Sequence, residues 1–324
     1  MRLGRWWNDG RLEEGFIRDG GVVPFPGGIT MRQLFIDGLA LVDSVRDQVA
    51  SAPPTPLRQV TLTSPLEPTS VRDFVAFEEH VEGVSAAVDG RSEVVPEWYE
   101  APTYYFANPH TILGSGDLLR PPMTDRLDFE LELAAVVGGV AGSSGVSLTP
   151  EEADGHIFGY VVMNDWSARD LQSREMRVRL GPCKGKDFAT TLGPWIVTAD
   201  ELHPRRTPEG LLPLKAEAFV NGVRVGHDTF LHMGWTFPEL VAYASRDSVV
   251  RPGDVLGSGT VGNGGCLAEL WGRSGVMEPP PLKQGDVVTL WVEGVGEITN
   301  IVGHARSAPP LRSARSVAPA RHET

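Results

Sequence analysis

The sequence has little cysteine and no long apolar run. Only Cys183 and Cys266 occur in 324 residues. Two cysteines are too few for a disulfide scaffold and have no metal-site spacing, so we expect reduced thiols in a cytoplasmic protein. No charged leader followed by an apolar stretch opens the chain, and no apolar run reaches the roughly 18 residues of a membrane span. We therefore expect neither secretion nor a membrane partner.

An excess of positive charge is also missing. The chain carries 29 Lys and Arg against 42 Asp and Glu, a net charge of −13. Such a balance argues against a nucleic-acid partner and favours a site that collects a cation or works behind local positive residues. With 41% hydrophobic residues, the chain can bury a large core in one or two domains.

Phosphate-binding motifs and repeats of fixed period are absent as well. Gly181 to Lys186 lacks the spacing of a P-loop and its Ser or Thr after Lys. The glycine-rich run 257–265 does not open a helix, although its backbone N–H groups and Thr260 are suited to an anionic oxygen. A lysine between glycines, such as Lys186, is by default a solvated loop residue.

The most frequent pattern in the sequence is a short apolar run bounded by glycine or proline. These runs do not alternate with helical segments as in βαβ units. This pattern predicts a mainly β or α+β protein rather than a doubly wound sheet. We predict strands at 130–137, 157–164, 194–198, 215–220, 254–256, 266–271, 286–292 and 296–302.

The first part of the chain predicts a small β-rich domain over residues 1–66. Asp-Gly turns join its extended pieces, and Thr30 is the expected N-cap of a helix ending at Val49. A second short helix is predicted over Ser70–Glu82, with Ser70 and Asp73 in a capping-box pattern. The catalytic domain would then span 67–305, and the Ala/Pro/Ser-rich residues 306–324 are expected to be disordered.

Two acids lie one residue apart in the apolar stretch LDFELELAAVVGG. On a strand, Glu130 and Glu132 point to the same face, while Leu131 and Leu133 point into a core. Two adjacent buried carboxylates are costly unless a proton or a cation lies between them. The alternative is a pair of solvated acids on an edge strand.

A third acid, Asp165, ends the apolar run Ile157–Asn164, where a polar, helix-prone segment begins. Ligand sites often form at strand ends, although such an acid can also cap the next helix. Three oxygen ligands without a nearby His or Cys suit Mg²⁺, Mn²⁺ or Ca²⁺ rather than Zn²⁺. His80, Arg169 and Gln172 are by default solvated helix residues.

Taken together, five segments resemble the fumarylacetoacetate hydrolase superfamily, and the resemblance covers about Ser70 to His304. The segments are DFVAFEEHVEG (73–83), LDFELELAAVVG (127–138), IFGYVVMNDWSARDLQ (157–172), GKDFATTLGPW (185–195) and SGTVGNGGCLAELW (258–271). The resemblance implies a C-terminal core of strands rolled into a distorted barrel, a small N-terminal domain and a homodimer.

The resemblance also implies roles for individual residues. Glu130, Glu132 and Asp165 would bind Mg²⁺, Mn²⁺ or Ca²⁺, and Asp73 falls where some hydrolases supply a fourth carboxylate. His80, held by Glu269, would activate water, and Lys186 would stabilise an oxyanion. Tyr105, Arg169, Gln172 and Thr260 would contact a small oxo-acid substrate.

The implied reaction is hydrolysis of a carbon–carbon bond in an acylpyruvate or a related β-diketo acid, as in aromatic catabolism. Members that cleave fumarylacetoacetate carry Tyr where this chain has Val75 and Arg where it has Asp89, with Arg91 nearby; these departures concern the substrate more than the reaction. Retention of His80 and Glu269 favours hydrolysis. The alternatives are an isomerase or decarboxylase of 2-hydroxy-dienoate acids, a biosynthetic tailoring enzyme, or a ligand-binding protein without catalysis.

Overall fold

The computed structural model describes residues 1–89 and 93–315 and is built mainly from strands, which confirms the predicted mainly β or α+β class. The strands are β1 (Arg2–Asn8), β2 (Arg11–Arg18), β3 (Gly21–Pro24), β4 (Thr55–Pro56), β5 (Thr61–Thr63), β6 (Val71–Phe74), β7 (Tyr104–Ala107), β8 (Ile112–Leu113), β9 (Leu118–Leu119), β10 (Leu127–Asp128), β11 (Leu131–Val137), β12 (Ile157–Asp165), β13 (Ser167–Ala168), β14 (Thr190–Thr198), β15 (Lys215–Val220), β16 (Val223–Thr229), β17 (Val255–Gly257), β18 (Val287–Val292) and β19 (Gly296–Val302). The α-helices are α1 (Met31–Asp37), α2 (Leu39–Gln48), α3 (Glu78–Asp89), α4 (Pro150–Gly155), α5 (Arg169–Met176), α6 (Ala199–Leu202), α7 (Phe237–Ser245) and α8 (Leu267–Ser274). Single 3₁₀ turns occur at Leu57–Gln59, Pro96–Tyr99, His203–Arg205 and Phe230–His232.

The larger sheet joins the N-terminal strands to the strands that carry the candidate site. Its order is β4-β3-β2-β1-β14-β12-β11-β17-β6-β7, with β5 beside β1 and β8 beside β14. The link between the two parts is the antiparallel pair β1–β14, in which Arg2 lies opposite Val197 and Leu3 opposite Ile196. Strands from residues 1–66 therefore share a hydrogen-bonded ladder with the rest of the chain.

A second sheet has the order β16-β15-β18-β19-β9 and packs on the first. Leu290 and Ile298 of this sheet share one core with Leu133 and Val162 of the first. Within the described ranges neither sheet closes on itself by hydrogen bonds, so the core lies between open sheets rather than inside a closed barrel.

The adjacent strands β11 and β12 form the buried centre of the larger sheet. Every residue of both strands is buried, which explains why each reads as a continuous apolar run. Leu131 and Leu133 pack into the core between the sheets, whereas Ala134 and Val136 pack on the opposite face with helices α1 and α2. The predicted strands at 130–137 and 157–164 are confirmed, with β12 extending to Asp165.

The predicted helix over Ser70–Glu82 is wrong in its first half. Val71–Phe74 forms strand β6, which pairs in parallel with β17 and antiparallel with β7. All four residues are buried, so sheet pairing and burial outweigh the capping-box pattern. The helix begins only at Glu78.

The predicted strand at 266–271 is also wrong, because Leu267–Ser274 is helix α8. The sulfur of Cys266 accepts the backbone N–H of Glu269 as an N-cap, and Gly275 ends the helix in the left-handed conformation. The buried residues Leu267, Ala268 and Trp271 have helical spacing, but six residues are too few to separate that period from a strand.

The predicted helix from Thr30 to Val49 is divided in two at Gly38, whose φ of 75° breaks the helical path. Thr30 is the N-cap as predicted and accepts the backbone N–H of Gln33. In the part of the chain that the structure describes, no helix combines the length and the apolar character needed to cross a bilayer.

Candidate functional site

A cavity of about 760 Å³ contains most of the candidate residues predicted from the sequence. Its walls come from β6, β7, the helices α3 and α5 and the turns near Lys186 and Thr260. The candidates that line it are Asp73, His80, Tyr105, Glu130, Arg169, Gln172, Lys186 and Thr260. Glu132, Asp165 and Glu269 are fully buried and lie behind this lining.

Four carboxylates meet at the floor of the cavity or directly behind it: Asp73 of β6, Glu130 just before β11, Glu132 of β11 and Asp165 at the end of β12. Asp73, Glu130 and Glu132 each offer an oxygen within 4.8 Å of the others, so the two glutamates do face the same side. Asp165 is tied to this group by the Tyr105 hydroxyl, which lies 3.0 Å from Asp73 Oδ2 and also bonds Asp165 Oδ2.

Several carboxylate oxygens in this cluster have no hydrogen-bond donor. Oδ1 of Asp73, Oε1 of Glu132 and Oδ1 of Asp165 are buried and without a hydrogen-bond partner among the described residues. A buried carboxylate oxygen without a donor is costly, and a hard divalent cation would satisfy it. The donor set therefore fits Mg²⁺, Mn²⁺ or Ca²⁺.

Lys186 supplies positive charge to the same cluster. Its Nζ lies 2.5 Å from Glu130 Oε2 and 2.6 Å from Asp165 Oδ2, and the residue is 3% exposed. The solvated-loop reading is thus wrong for Lys186, whereas it fits the neighbouring Lys184, whose side chain is 65% exposed. Burial lowers the pKa of Lys186, but Asp165 and Glu130 raise it more, so the lysine stays charged.

The pKa values of the four acids separate into two groups. Burial raises the pKa of Glu130, but Lys186, Arg169 and His80 outweigh burial and hold it well below its ordinary value. Burial raises the pKa of Asp73 to about 6 and that of Asp165 to about 8. Burial and the Asp73 carboxylate raise the pKa of Glu132 well above its ordinary value. Without a cation, Glu132 and Asp165 therefore hold protons at pH 7, whereas Asp73 holds one only below about pH 6.

Gly257 keeps the space between the carboxylates open. A β-carbon at this position would lie 2.6 Å from Glu132 Oε2 and 2.7 Å from Asp73 Oδ1. Both acids are buried and cannot move aside into solvent. The glycine that ends β17 is thus required by close approach rather than by an unusual backbone angle.

His80 lies between the carboxylates and helix α8. Its Nε2 is 4.0 Å from Glu130 Oε1, and its Nδ1 is 3.8 Å from the sulfur of Cys266. Burial lowers the pKa of His80 to about 4, so the imidazole is neutral at pH 7 and has a lone pair available for a proton.

Glu269, the predicted partner of His80, is close to it but engaged elsewhere. The carboxylate reaches within 4.8 Å of His80 and Cys266, and its Oε1 lies 2.9 Å from Arg273 Nη2. Gly83 of α3 packs directly on the Glu269 side chain. Burial raises the pKa of Glu269 to about 7 despite Arg273. No direct hydrogen bond joins Glu269 to His80 in the described structure.

Asp128 is a functional residue that the sequence reasoning missed. Its Oδ2 accepts two hydrogen bonds from Arg169, at 2.9 and 2.7 Å, and its two oxygens accept the backbone N–H groups of Leu267 and Ala268. Asp128 thereby fixes both Arg169 and the first turn of α8. Asp128 lies two residues before Glu130, and in an extended chain the two side chains point to the same face. This spacing is the sequence feature that could have indicated its place near the site.

Arg169 and Gln172 act as a pair at the edge of the floor. Arg169 Nη1 lies 2.7 Å from Glu130 Oε1 and donates to Gln172 Oε1 at 3.0 Å. Arg169 is 5% exposed, so its solvated-helix reading is wrong. Thr260, also buried, follows β17 and lines the cavity as well.

Comparison with known proteins identifies the family. Residues 69–303 match the family described as the C-terminal domain of fumarylacetoacetate (FAA) hydrolase. The chain belongs to the fumarylacetoacetate hydrolase family. Fumarylacetoacetase of Oryza sativa subsp. japonica is 32% identical over 259 residues, which cover 66% of this chain and 60% of that protein. Fumarylacetoacetase of Rattus norvegicus is 31% identical over 279 residues, covering 72% of this chain and 65% of that protein.

The chain thus spans about three fifths of the length of the first plant relatives. Among solved structures, fumarylacetoacetate hydrolase from psychrophilic Exiguobacterium antarcticum has a TM-score of 0.66 and 25% identity, covering 94% of this chain and 99% of that one. Maleylpyruvate hydrolase from Sphingobium sp. SYK-6, solved with manganese(II) and pyruvate, has a TM-score of 0.69 and 20% identity, covering 94% and 100%. At that identity the likeness shows the shared fold.

Replacing Gly257 by alanine should weaken metal binding without unfolding the protein. The added methyl would push Glu132 and Asp73 apart, and we expect Mn²⁺ affinity to fall about 10–100-fold, as when groups that orient ligands are lost. Isothermal titration of the purified variant with Mn²⁺ measures this. Gly155→Ala is the matched control, because its β-carbon would meet only Val140 at 3.7 Å. Equal affinities of Gly257→Ala and wild type would contradict the site.

Metal affinity should also rise with pH. Protons occupy Asp73 below about pH 6 and Asp165 below about pH 8 in the metal-free protein, and a bound cation must displace them. We expect Mn²⁺ to bind weakly at about pH 5.5, more tightly at about pH 7 and most tightly near pH 8.5, with protons released on binding. Titrations in buffers of different ionisation enthalpy measure both quantities. An affinity that does not change over this range would rule out these acids as ligands.

Proposed function

We propose that this protein hydrolyses a carbon–carbon bond in a β-diketo acid such as an acylpyruvate. The observation that carries the proposal is the set of buried carboxylate oxygens without donors beside a neutral His80 at the floor of a large cavity. We assign the divalent cation to the carboxylates of Asp73, Glu130, Glu132 and Asp165. A protein that only bound a ligand would not need a buried base and a buried lysine in addition.

The family relatives support this reaction class. The sequence relatives from Oryza sativa and Rattus norvegicus are named fumarylacetoacetases, and one structural neighbour is a maleylpyruvate hydrolase in complex with manganese(II) and pyruvate. These names concern enzymes acting on keto acids, in keeping with a small oxo-acid substrate here. We further propose that the protein works as a cytoplasmic homodimer in the breakdown of aromatic compounds.

A divalent cation bound at the carboxylates would polarise the carbonyl groups of a β-diketo acid. His80, neutral at pH 7, takes a proton from water through Nε2, the nitrogen on the Glu130 side. Lys186 holds positive charge at the floor, where an oxyanion develops as hydroxide adds to the carbonyl carbon. The carbon–carbon bond then breaks and the departing enolate takes up a proton.

One observation favours isomerisation or decarboxylation of a 2-hydroxy-dienoate acid as the second candidate. Glu269 pairs with Arg273 at 2.9 Å, and the predicted hydrogen bond from Glu269 that would support the protonated form of His80 is not formed in the described structure. A decarboxylation or a dienol tautomerisation uses the same enolate chemistry without activating water. The requirement for His80 distinguishes the two candidates.

Turnover of the β-diketo acid should depend on a divalent metal and on Glu132. We expect loss of the diketone enol absorbance with Mg²⁺ or Mn²⁺, none with EDTA, and a fall of about 100-fold or more in Glu132→Gln, because the metal supplies several kcal/mol of transition-state stabilisation. The exposed Glu297 provides the control Glu297→Gln. Cleavage that persists in EDTA would refute a metal-dependent mechanism.

Replacing His80 by glutamine should lower hydrolysis about 10²–10⁴-fold, the usual effect of losing a general base. The metal affinity of the variant should stay near wild type, since the unpartnered carboxylate oxygens remain. Product acids, quantified by chromatography, separate hydrolysis from isomerisation, and His110→Gln at an exposed position is the control. Full hydrolytic activity in His80→Gln would exclude water activation by His80.

A further inference from the structure

The cavity has a charged floor and an apolar mouth. The floor residues Lys186 and Arg169 are 3% and 5% exposed, whereas Phe106, Met176 and Leu180 of the lining are 64%, 44% and 91% exposed. The exposed fractions thus indicate that charged groups lie deep in the cavity and that apolar side chains lie at its opening.

Between floor and mouth the walls are mostly apolar, with Ser85, Thr103 and Tyr104 as the hydroxyl-bearing residues. Val75, Val81, Val84 and Trp98 line the cavity, and the indole N–H of Trp98 is already bonded to the carbonyl of Val75 at 2.7 Å. The indole therefore presents its ring, not a free donor, to the cavity. A volume of about 760 Å³ lies within the roughly 300–1,000 Å³ of pockets that hold drug-sized ligands, so there is room beyond the diketo acid head.

The positive charges that belong to the described lining lie at the floor. The guanidinium of Arg72 lies 5.4 Å from the centre of the Phe106 ring but is not part of the lining. Among the described residues, the Lys and Arg side chains that line the cavity are Arg169 and Lys186. Both are in ion pairs with floor carboxylates. The charged residue of the lining near the mouth is the exposed acid Glu97. Arg177 and Arg179 lie in the same loop as Leu180 but are not part of the lining, and Arg91 lies outside the described residues.

We infer that the substrate carries an apolar arm, alkyl or aryl, on the side of the diketone away from its carboxylate. The inference rests on the proposed function, because the floor must hold the diketo acid head. The arm then extends along Val84 and Trp98 towards Phe106, Met176 and Leu180. A second carboxylate at the far end would lose hydration against these side chains without meeting a Lys or Arg of the described lining there, which disfavours dicarboxylates such as fumarylacetoacetate.

Two 2,4-dioxo acids of equal chain length, one ending in a methyl group and one in a carboxylate, test the inference. With the Mn²⁺-loaded enzyme we expect kcat/KM to be about tenfold or more higher for the methyl-ended acid, because the apolar end is buried and the charged end is desolvated without a partner. A phenyl-ended acid should resemble the methyl-ended one. Equal or faster turnover of the dicarboxylate would overturn the inference and leave the proposed function intact.

A charge at the mouth should reverse part of this preference. Leu180→Arg places a cation on the lining, and since Leu180 is 91% exposed the substitution is not expected to affect folding. We expect the ratio of kcat/KM for the dicarboxylate over the methyl-ended acid to rise about tenfold. Val178→Arg is the matched control, since Val178 is 74% exposed in the same loop but does not line the cavity. A similar rise in both variants would show a nonspecific charge effect and overturn the assignment of the mouth.

The outcomes separate failure of the inference from failure of the proposed function. If neither dioxo acid is cleaved while Mn²⁺ still binds, the proposed hydrolysis fails and the inference fails with it. If the dicarboxylate is preferred and Arg177→Ala with Arg179→Ala abolishes that preference, the loop arginines reach the substrate and the apolar-arm inference is overturned, while hydrolysis stands.

Discussion

The buried ion pairs of Lys186 are the interaction on which the site depends. Asp73, Glu130, Glu132 and Asp165 are buried close together and would repel one another if all four were charged. Lys186 neutralises part of that charge through Glu130 and Asp165, while Arg169 contacts Glu130 from the other side. The remaining oxygens are left to protons or to a divalent cation. The same arrangement therefore defines what the site can bind.

Several separate segments must be correctly placed for this balance to hold. Strands β6, β11 and β12 bring the acids together, the turn after α5 brings Lys186, and Asp128 fixes Arg169 together with the start of α8. Because helix α8 carries Glu269, the network around Asp128 also sets the distance between Glu269 and His80. A substitution at the floor would therefore alter the surroundings of the His80 imidazole both on the Glu130 side and on the Glu269 side.

Much of this could be predicted from the sequence, and the failures have physical reasons. The strands carrying Glu130, Glu132 and Asp165 are recognisable because buried strands read as apolar runs. The predicted helix over 70–82 is wrong at 71–74, and the predicted strand at 266–271 is wrong because a helix begins at Leu267. Segments this short do not show their period, so only tertiary pairing decides between strand and helix. The burial of Lys186 and the role of Asp128 depend on partners distant in the chain, which no local pattern reveals. The roles assigned to the site residues stay predictions, although the structure brings most of them into one cavity.

The pairing of β1 with β14 has a consequence for how this chain can be divided. A cut after residue 66 would remove β1, the strand that pairs with β14 at Ile196 and Val197. The backbone N–H and C=O groups of this apolar segment would then be unpaired at a new sheet edge. Unprotected edges of this kind recruit strands from other molecules and lead to aggregation. The N-terminal strands therefore protect the β14 edge of the sheet that holds the site. An isolated C-terminal fragment would need another strand paired with β14.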